Sequence, residues 1–251
     1  MLGGSRGRGW RDRLGNGLAG LIVVCGANGA VAGEGFSVSG GGGTLEGFDT
    51  FQGVLYAPWS ALGESGFQVR GWAKSYLFEY ETSLPNDPGA RIQAMGYGFQ
   101  VELGWQFAGD WGHLAGFVGP AWRDHELQPP DPGSSLDRAR LGVAFTLDGE
   151  WRALPDLGVM VNASYVTGVD QHWAQVKPFL ELGDGFRTGL SLAVFGGPDY
   201  EKARLGLFAS GYELEFITWR RTFIGGELGV QSDFSGRGIT PYVGLHSGFL
   251  F

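Results

Sequence analysis

The sequence predicts an all-β protein: one antiparallel transmembrane β-barrel of about 12 strands (about 10–12), preceded by a cleavable signal peptide. Three observations predict it. Large apolar residues recur at every second position in segment after segment between Gly33 and Phe251. Each segment is near the ~9–11 residues that carry a tilted strand across a bilayer. The final segment, PYVGLHSGFLF, alternates in the same way and ends on Phe251.

The N-terminal region reads as a secretory leader. Arg6, Arg8, Arg11 and Arg13 form a positive start, LAGLIVVCGA (Leu18 to Ala27) an apolar core, and Ala30-Val31-Ala32 a small-x-small cleavage pattern. Residues 1–32 are therefore expected to be the signal peptide and 33–251 the barrel. Cys25 is not in a lipoprotein context, because Val24 stands where that signal needs a small residue. Cleavage removes Cys25, so disulfides and thiol catalysis are excluded from the mature chain. Residues 1–32 hold four Arg and one Asp, a net of +3, so the whole-chain charge of −8 becomes −11. That charge argues against a nucleic-acid partner, since phosphates want a basic surface.

The strands follow in order. The first, around 35–43, is rich in glycine, and an even strand number needs it. In MGYGFQVELGWQF (95–107), Met95, Tyr97, Phe99, Val101, Leu103, Trp105 and Phe107 oppose Gly96, Gly98, Gln100, Glu102, Gly104 and Gln106. Leu141, Val143, Phe145, Leu147 and Trp151 oppose Arg140, Ala144, Thr146, Asp148 and Glu150. Val176, Leu180 and Leu182 oppose Gln175, Lys177 and Glu181, and Leu190, Leu192 and Val194 oppose Arg187, Gly189 and Ser191. Leu205, Leu207 and Ala209 oppose Arg204, Gly206 and Phe208, and Val243, Leu245, Phe249 and Phe251 oppose Tyr242, Gly244, His246 and Gly248. Short connections fall at 108–112, 152–156 and 183–185. Longer ones fall at 80–92 and 124–137, each carrying Asp-Pro-Gly, which predicts a type II turn. Short periplasmic turns and longer outer loops are the barrel pattern.

A soluble sandwich would bury the large face as its core; a membrane barrel turns it to lipid. Tryptophans decide for the barrel. Trp59, Trp105, Trp111, Trp151 and Trp219 lie near the predicted periplasmic ends, and Tyr97, Trp122 and Tyr165 near the outer ends, as two interfacial girdles. A soluble sandwich also has no reason to end on the last apolar residue of a strand. No run of about 18 apolar residues follows the leader, so no membrane-spanning helix is predicted.

Alternation points Arg70, Lys74, Glu102, Arg140, Lys177, Glu181, Arg187, Arg204 and Glu227 inward, with Trp72, Tyr76, Phe195, Tyr212 and Tyr242. Such charges need partners away from bulk water. Flat aromatics stack on sugar rings, so Trp72, Tyr76, Tyr212, Tyr242, Arg70, Arg140 and Lys177 are candidate lumen contacts for a saccharide. The same side chains would also serve to fill a closed barrel. An enzyme reading, a lipid-modifying hydrolase of the outer membrane, rests on His172 with Ser164 or Thr167. The chain has no nucleophile elbow, HExxH motif or calcium loop, and SGGGGT (39–44) lacks the lysine of a phosphate loop. No catalytic residue, metal or cofactor is assigned.

The segments GVLYAPWSALGESGFQVRGW (53–72), WRDHELQPPDP (122–132) and YVTGVDQHWAQVKPFLELG (165–183) resemble the cellulose biosynthesis protein BcsS family. The features that carry the resemblance are Asp124, His125, Leu127 and Pro129, the Asp-Pro turn after them, and the strand pair from Tyr165 to Leu182. The resemblance implies an outer-membrane barrel of alphaproteobacteria, associated with cellulose synthase operons. It implies a role in making or exporting cellulose, and no defined catalytic residues. The partners it implies are outer-membrane lipid and either the cellulose chain or components of the synthase complex. A generic porin-like or structural barrel is the rival class.

N-terminal sequencing of membrane-extracted protein is expected to begin at Gly33 or within a few residues of it. A mature chain beginning at Met1, or at a lipidated Cys25, would overturn the leader assignment.

Overall fold

In the computed structural model, residues 33–251 are described except 46, 85–86, 135–137, 184, 199, 215–220 and 234–237. The expected leader, Cys25 and Trp219 lie outside the described residues. Twelve strands follow in chain order: β1 (Glu34–Thr44), β2 (Gly47–Ala57), β3 (Gly66–Leu84), β4 (Asp87–Gly109), β5 (Gly112–Gln128), β6 (Arg140–Leu154), β7 (Leu157–Val166), β8 (Gln171–Glu181), β9 (Arg187–Gly197), β10 (Tyr200–Glu213), β11 (Thr222–Asp233) and β12 (Ile239–Leu250). Each pairs antiparallel with the next, and β1 pairs with β12 from Phe36↔Leu250 to Gly43↔Val243, so the sheet closes on itself. The glycine-rich first strand supplies that seam. Its first residues meet the chain end directly: Gly35 and Phe251 exchange two backbone hydrogen bonds of 2.8 Å.

Period two decides which face each residue takes. Leu103 is 52% exposed on the outer wall, while its neighbour Glu102 is 0% exposed in the lumen. Phe145, Leu192, Leu207, Leu228 and Leu245 share the outer surface. Exposed apolar side chains arranged in a belt around a closed sheet face lipid, because a bilayer admits only structures with every backbone group bonded. The 110–111 and 155–156 turns lie at the same end as the longer 58–65 and 214–221 connections, and the other end holds two-residue spacings between β1 and β2 and between β9 and β10, so connection length does not alternate as expected; the end with the 110–111 turn is the one expected to be periplasmic. Trp59, Trp105, Trp111 and Trp151 lie toward it, all of them well exposed. Trp122 and Tyr165 lie toward the other rim. On β1 to β3 the outer wall changes character. Ser39, Thr50, Gln52 and Ser75 replace large apolar residues there, and the Thr50 and Ser75 hydroxyls bond to each other at 2.8 Å.

Two local expectations are corrected. The segment 80–92 is no long loop: β3 runs to Leu84 and β4 resumes at Asp87. β3, β4 and β5 have 19, 23 and 17 residues, so the extra length projects past the outer rim as a β-sheet tongue. The tongue stays paired because its inner face is apolar. Ala90, Ile92, Ala94 and Leu127 are buried there, packed against Phe78, Tyr80 and Leu84. Neither Asp-Pro-Gly forms a type II turn. Pro88-Gly89 is strand, and at Asp131 the Ser134 N–H closes the turn to the Asp131 carbonyl at 3.0 Å with no positive φ at Gly133. The Asp131 carboxylate accepts the Gly133 N–H at 3.1 Å and so fixes that turn without left-handed backbone.

Tyr212 is the second kind of correction. Alternation from Arg204 predicts it inward, but the β10–β11 register shifts between Ala209 and Tyr212, with Gly211 at φ +83°. A bulge reverses the facing of the residues beyond it. Tyr212 pairs with the outward Ile224 and is 59% exposed.

Replacing Leu103 by Arg is expected to lower folding stability by about 2–4 kcal/mol, the cost of a cation at mid-bilayer depth. Leu103→Phe is expected to stay within about 1 kcal/mol of wild type. Reversible denaturant titration of the barrel in lipid vesicles measures both.

Candidate functional site

The lumen is organised in layers. At the periplasmic end, Arg152 and Arg187 each bind both Glu150 and Glu181. Arg152 donates to Glu150 at 2.8 Å and Glu181 at 2.9 Å; Arg187 donates to Glu150 at 2.7 Å and Glu181 at 3.2 Å. The Phe179 ring, 2% exposed, lies between the two guanidiniums, 5.9 and 4.9 Å from them. Four paired charges around one ring satisfy one another with little help from water. Beside it, Gln106 donates to the Leu62 and Glu64 carbonyls at 2.6 and 2.9 Å, drawing the β2–β3 connection against the inner wall.

The second layer centres on Glu102. Its carboxylate accepts from Arg70 Nε at 2.6 Å, Gln100 at 2.9 Å and Thr146 at 2.8 Å. Arg70 also pairs with Asp148, which Asn162 bonds in turn, and its guanidinium sits 4.2 Å from the Phe117 ring centroid. Arg123 joins through Gln100 at 2.6 Å. Across the lumen, Glu227 accepts from Lys177 at 3.0 Å and Ser191 at 2.9 Å. Arg204 lies on the Tyr242 ring, 3.5 Å from its centroid, and donates to Gln231 at 3.0 Å.

Above these layers lies a cavity of about 480 Å³. Trp72, Trp173, Tyr76 and Tyr242 contribute to its wall, with Lys74, Arg123, Lys177 and Arg204. Gly53 faces Trp72 across the β2–β3 pair, and a Cβ there would sit 2.5 Å from the indole, so only glycine lets the ring keep this place. Toward the outer mouth, Phe78 on β3 meets Tyr200 on β10 at 5.5 Å, and Gln171 on β8 reaches the Tyr76 hydroxyl at 3.5 Å. The Tyr76 hydroxyl and His125 Nε2 are 2.5 Å apart. The Asp-His-x-Leu motif thus builds the mouth and tongue: His125 holds Tyr76, and Leu127 packs in the tongue.

Of the residues singled out in the sequence, Arg70, Trp72, Tyr76, Lys177 and Tyr242 converge on this cavity. Arg140 does not. It sits at the start of β6, on the rim, and donates to the Gly168 carbonyl at 3.0 Å. Tyr212 is also absent from it, because the bulge turns that side chain outward. Alternation carried far enough would have found Asp49, Arg123, Trp173 and Tyr200, which share the cavity wall. The hydrolase constellation does not form. His172 pairs with Tyr165 on the outer face, whereas Ser164 pairs with Trp173 inside. The Thr167 hydroxyl accepts the Val143 N–H at 2.8 Å. Among the described residues no group of His, Cys, Asp and Glu could hold a metal ion.

A closed sheet with a lipid-facing apolar wall and a charged interior defines an outer-membrane β-barrel protein. Within that class the sequence carries a narrower signature. The profile of the cellulose biosynthesis protein BcsS family matches residues 38–247, and the chain belongs to that family. No curated protein matches the chain significantly. Similar solved structures include the KdgM porin, at 7% identity and TM-score 0.47, covering 85% of this chain and 98% of that one. The transport unit of the autotransporter AIDA-I from Escherichia coli matches at 11% identity and TM-score 0.47, covering 94% and 95%. The translocator domain of the autotransporter NalP from Neisseria meningitidis matches at 13% and 0.44, covering 95% of each chain.

Replacing Glu102 by Ala is expected to cost about 3–5 kcal/mol, because it strips buried Arg70 of one of its two carboxylates and leaves two further donors unpaired. The Arg70→Met, Glu102→Leu double variant is expected to cost much less than the sum of the two single changes. Denaturant titration of all three, with retained gel mobility of the unheated barrel, measures the coupling.

Proposed function

We propose that this protein is a non-enzymatic outer-membrane component of cellulose biosynthesis and export, acting as a closed anchor and not as the glucan conduit. Membership of the family supports the process. The observation that carries the closed reading is the Glu150–Arg152–Glu181–Arg187 layer around Phe179. A glucan pressing into this part of the lumen would have to displace these ion pairs and leave charges unpaired, at several kcal/mol for each. The four side chains come from β6, β8 and β9 and pair at 2.7–3.2 Å.

Location supports the non-enzymatic part. An outer-membrane barrel has no access to a cytoplasmic nucleotide-sugar donor, so it acts on the finished chain or on its partners. The opposite facing of His172 and Ser164 supports the same reading, since that pair does not meet.

Deletion of the gene is expected to lower extracellular cellulose or alter its fibre morphology, measured by dye binding and electron microscopy. Glucan synthesis by isolated inner membranes should stay at the wild-type rate. Complementation with the Trp72→Ala, Tyr242→Ala barrel should restore export per folded barrel. Unchanged extracellular cellulose in the deletion strain would overturn the assignment to this process. Failure of the folded double variant to restore export would overturn the closed anchor.

A further inference from the structure

The cavity above the ion-paired layers has an unbalanced charge. Its wall holds Arg70, Lys74, Arg123, Lys177, Lys202 and Arg204, and the carboxylates Asp49 and Glu227. Behind the wall, Glu102 and Asp148 both serve Arg70. Glu227 serves Lys177 at 3.0 Å, and Asp49 stands 3.9 Å from Arg204. Lys74 is left with no carboxylate within 4.0 Å among the described residues, and Arg123 donates to neutral oxygens alone, those of Gln100, Phe99 and Trp122. A protein of net charge −8 thus keeps a cationic surplus inside its lumen. A structural filling would balance its charges, as the periplasmic layer does with two arginines on two glutamates. A half-buried ammonium with no carboxylate beside it is stabilised by a ligand that brings the counter-charge.

The remaining wall indicates the kind of molecule that carries that charge. The Lys74 ammonium is 5.9 Å from the centroid of Trp72. A pyranose lying on the indole face would hold an exocyclic anionic group within reach of that ammonium. Trp173 offers a further flat face on the same cavity. A volume of about 480 Å³ lies in the usual range for a ligand site, about 300–1,000 Å³, and suits a short saccharide.

We infer that this cavity is a binding site for an anionic saccharide, with Trp72 stacking on a sugar ring and Lys74 and Arg123 receiving its carboxylate or phosphate. Neutral glucan offers the stacking face and hydroxyl oxygens for the cations, but no counter-charge. The site is therefore a receptor distinct from any path for cellulose itself, and its test is independent of the export assay.

The full barrel in detergent micelles, titrated with a glucuronate tetramer and followed by tryptophan fluorescence and calorimetry, tests this. The tetramer is expected to bind at least about tenfold more tightly than cellotetraose, and rising salt is expected to weaken it. Inorganic phosphate is expected to compete only at far higher concentration, since it lacks a ring to stack. Lys74→Met is expected to lower tetramer affinity about tenfold and to leave cellotetraose unaffected; Lys74→Arg should retain binding. Gel mobility of the unheated protein reports folding of each variant. If Lys74→Met does not fold, the salt titration of the wild-type barrel decides alone. Equal binding of the two tetramers, salt-independent binding, no binding of the glucuronate tetramer, phosphate competing as well as that tetramer, or a folded Lys74→Met with unchanged affinity would each overturn the inference.

Discussion

The pairing of β1 with β12 is the constraint on which everything else rests. A bilayer offers no hydrogen bonds, so an open edge would leave a row of backbone groups unsatisfied at several kcal/mol each. The Phe36↔Leu250 to Gly43↔Val243 ladder removes that edge. Closure then forces a lumen to exist, and it fixes which residues enter it. Once one strand faces its large side chains to lipid, the ladder carries that phase around the whole circumference.

The lumen inherits the opposite problem. Its polar residues are shut away from bulk water, so each needs a partner supplied by another strand. Most partnerships cross between strands far apart in sequence, such as Arg70 with Asp148 and Ser191 with Glu227. These bonds brace the barrel across its interior as well as around its wall. They also set its character as a protein. The periplasmic layer is balanced and close-fitting, whereas the cavity above it is aromatic, cationic and only partly paired. One interior therefore holds a charge-balanced part and a cationic part.

The tongue extends the same logic beyond the membrane. Where the lumen wall of β3–β5 rises past the rim, its inner face changes from polar to apolar. Ala90, Ile92 and Leu127 then pack against Phe78 and Tyr80 in place of forming ion pairs. The Tyr80 hydroxyl donates to Asp131 at 3.1 Å, tying the β5–β6 connection to this surface. The motif at Asp124, His125, Leu127 and Pro129 lies across this transition, which gives it a structural role at the mouth.

The sequence by itself determined a barrel of about twelve strands, the facing of most of them and many of the charges and aromatics inside, because period two is a local property of the chain. Residues such as Leu103 and Glu102 declare their faces without reference to any neighbour. The sequence misread Tyr212, because a bulge at Gly211 reverses phase through a register that only β11 imposes. It misread 80–92 as a loop, because the Pro and Gly there suggest a turn while the pairing with β3 keeps them extended. It identified many of the lumen charges, though not Asp49 or Arg123, and could not match them. Which arginine meets which glutamate depends on the closed circumference and the depth of each strand in it. Only the tertiary structure decided that the periplasmic charges cancel and that Lys74 has no carboxylate within 4.0 Å among the described residues, since Coulomb partners are chosen by distances across the barrel and not along the chain.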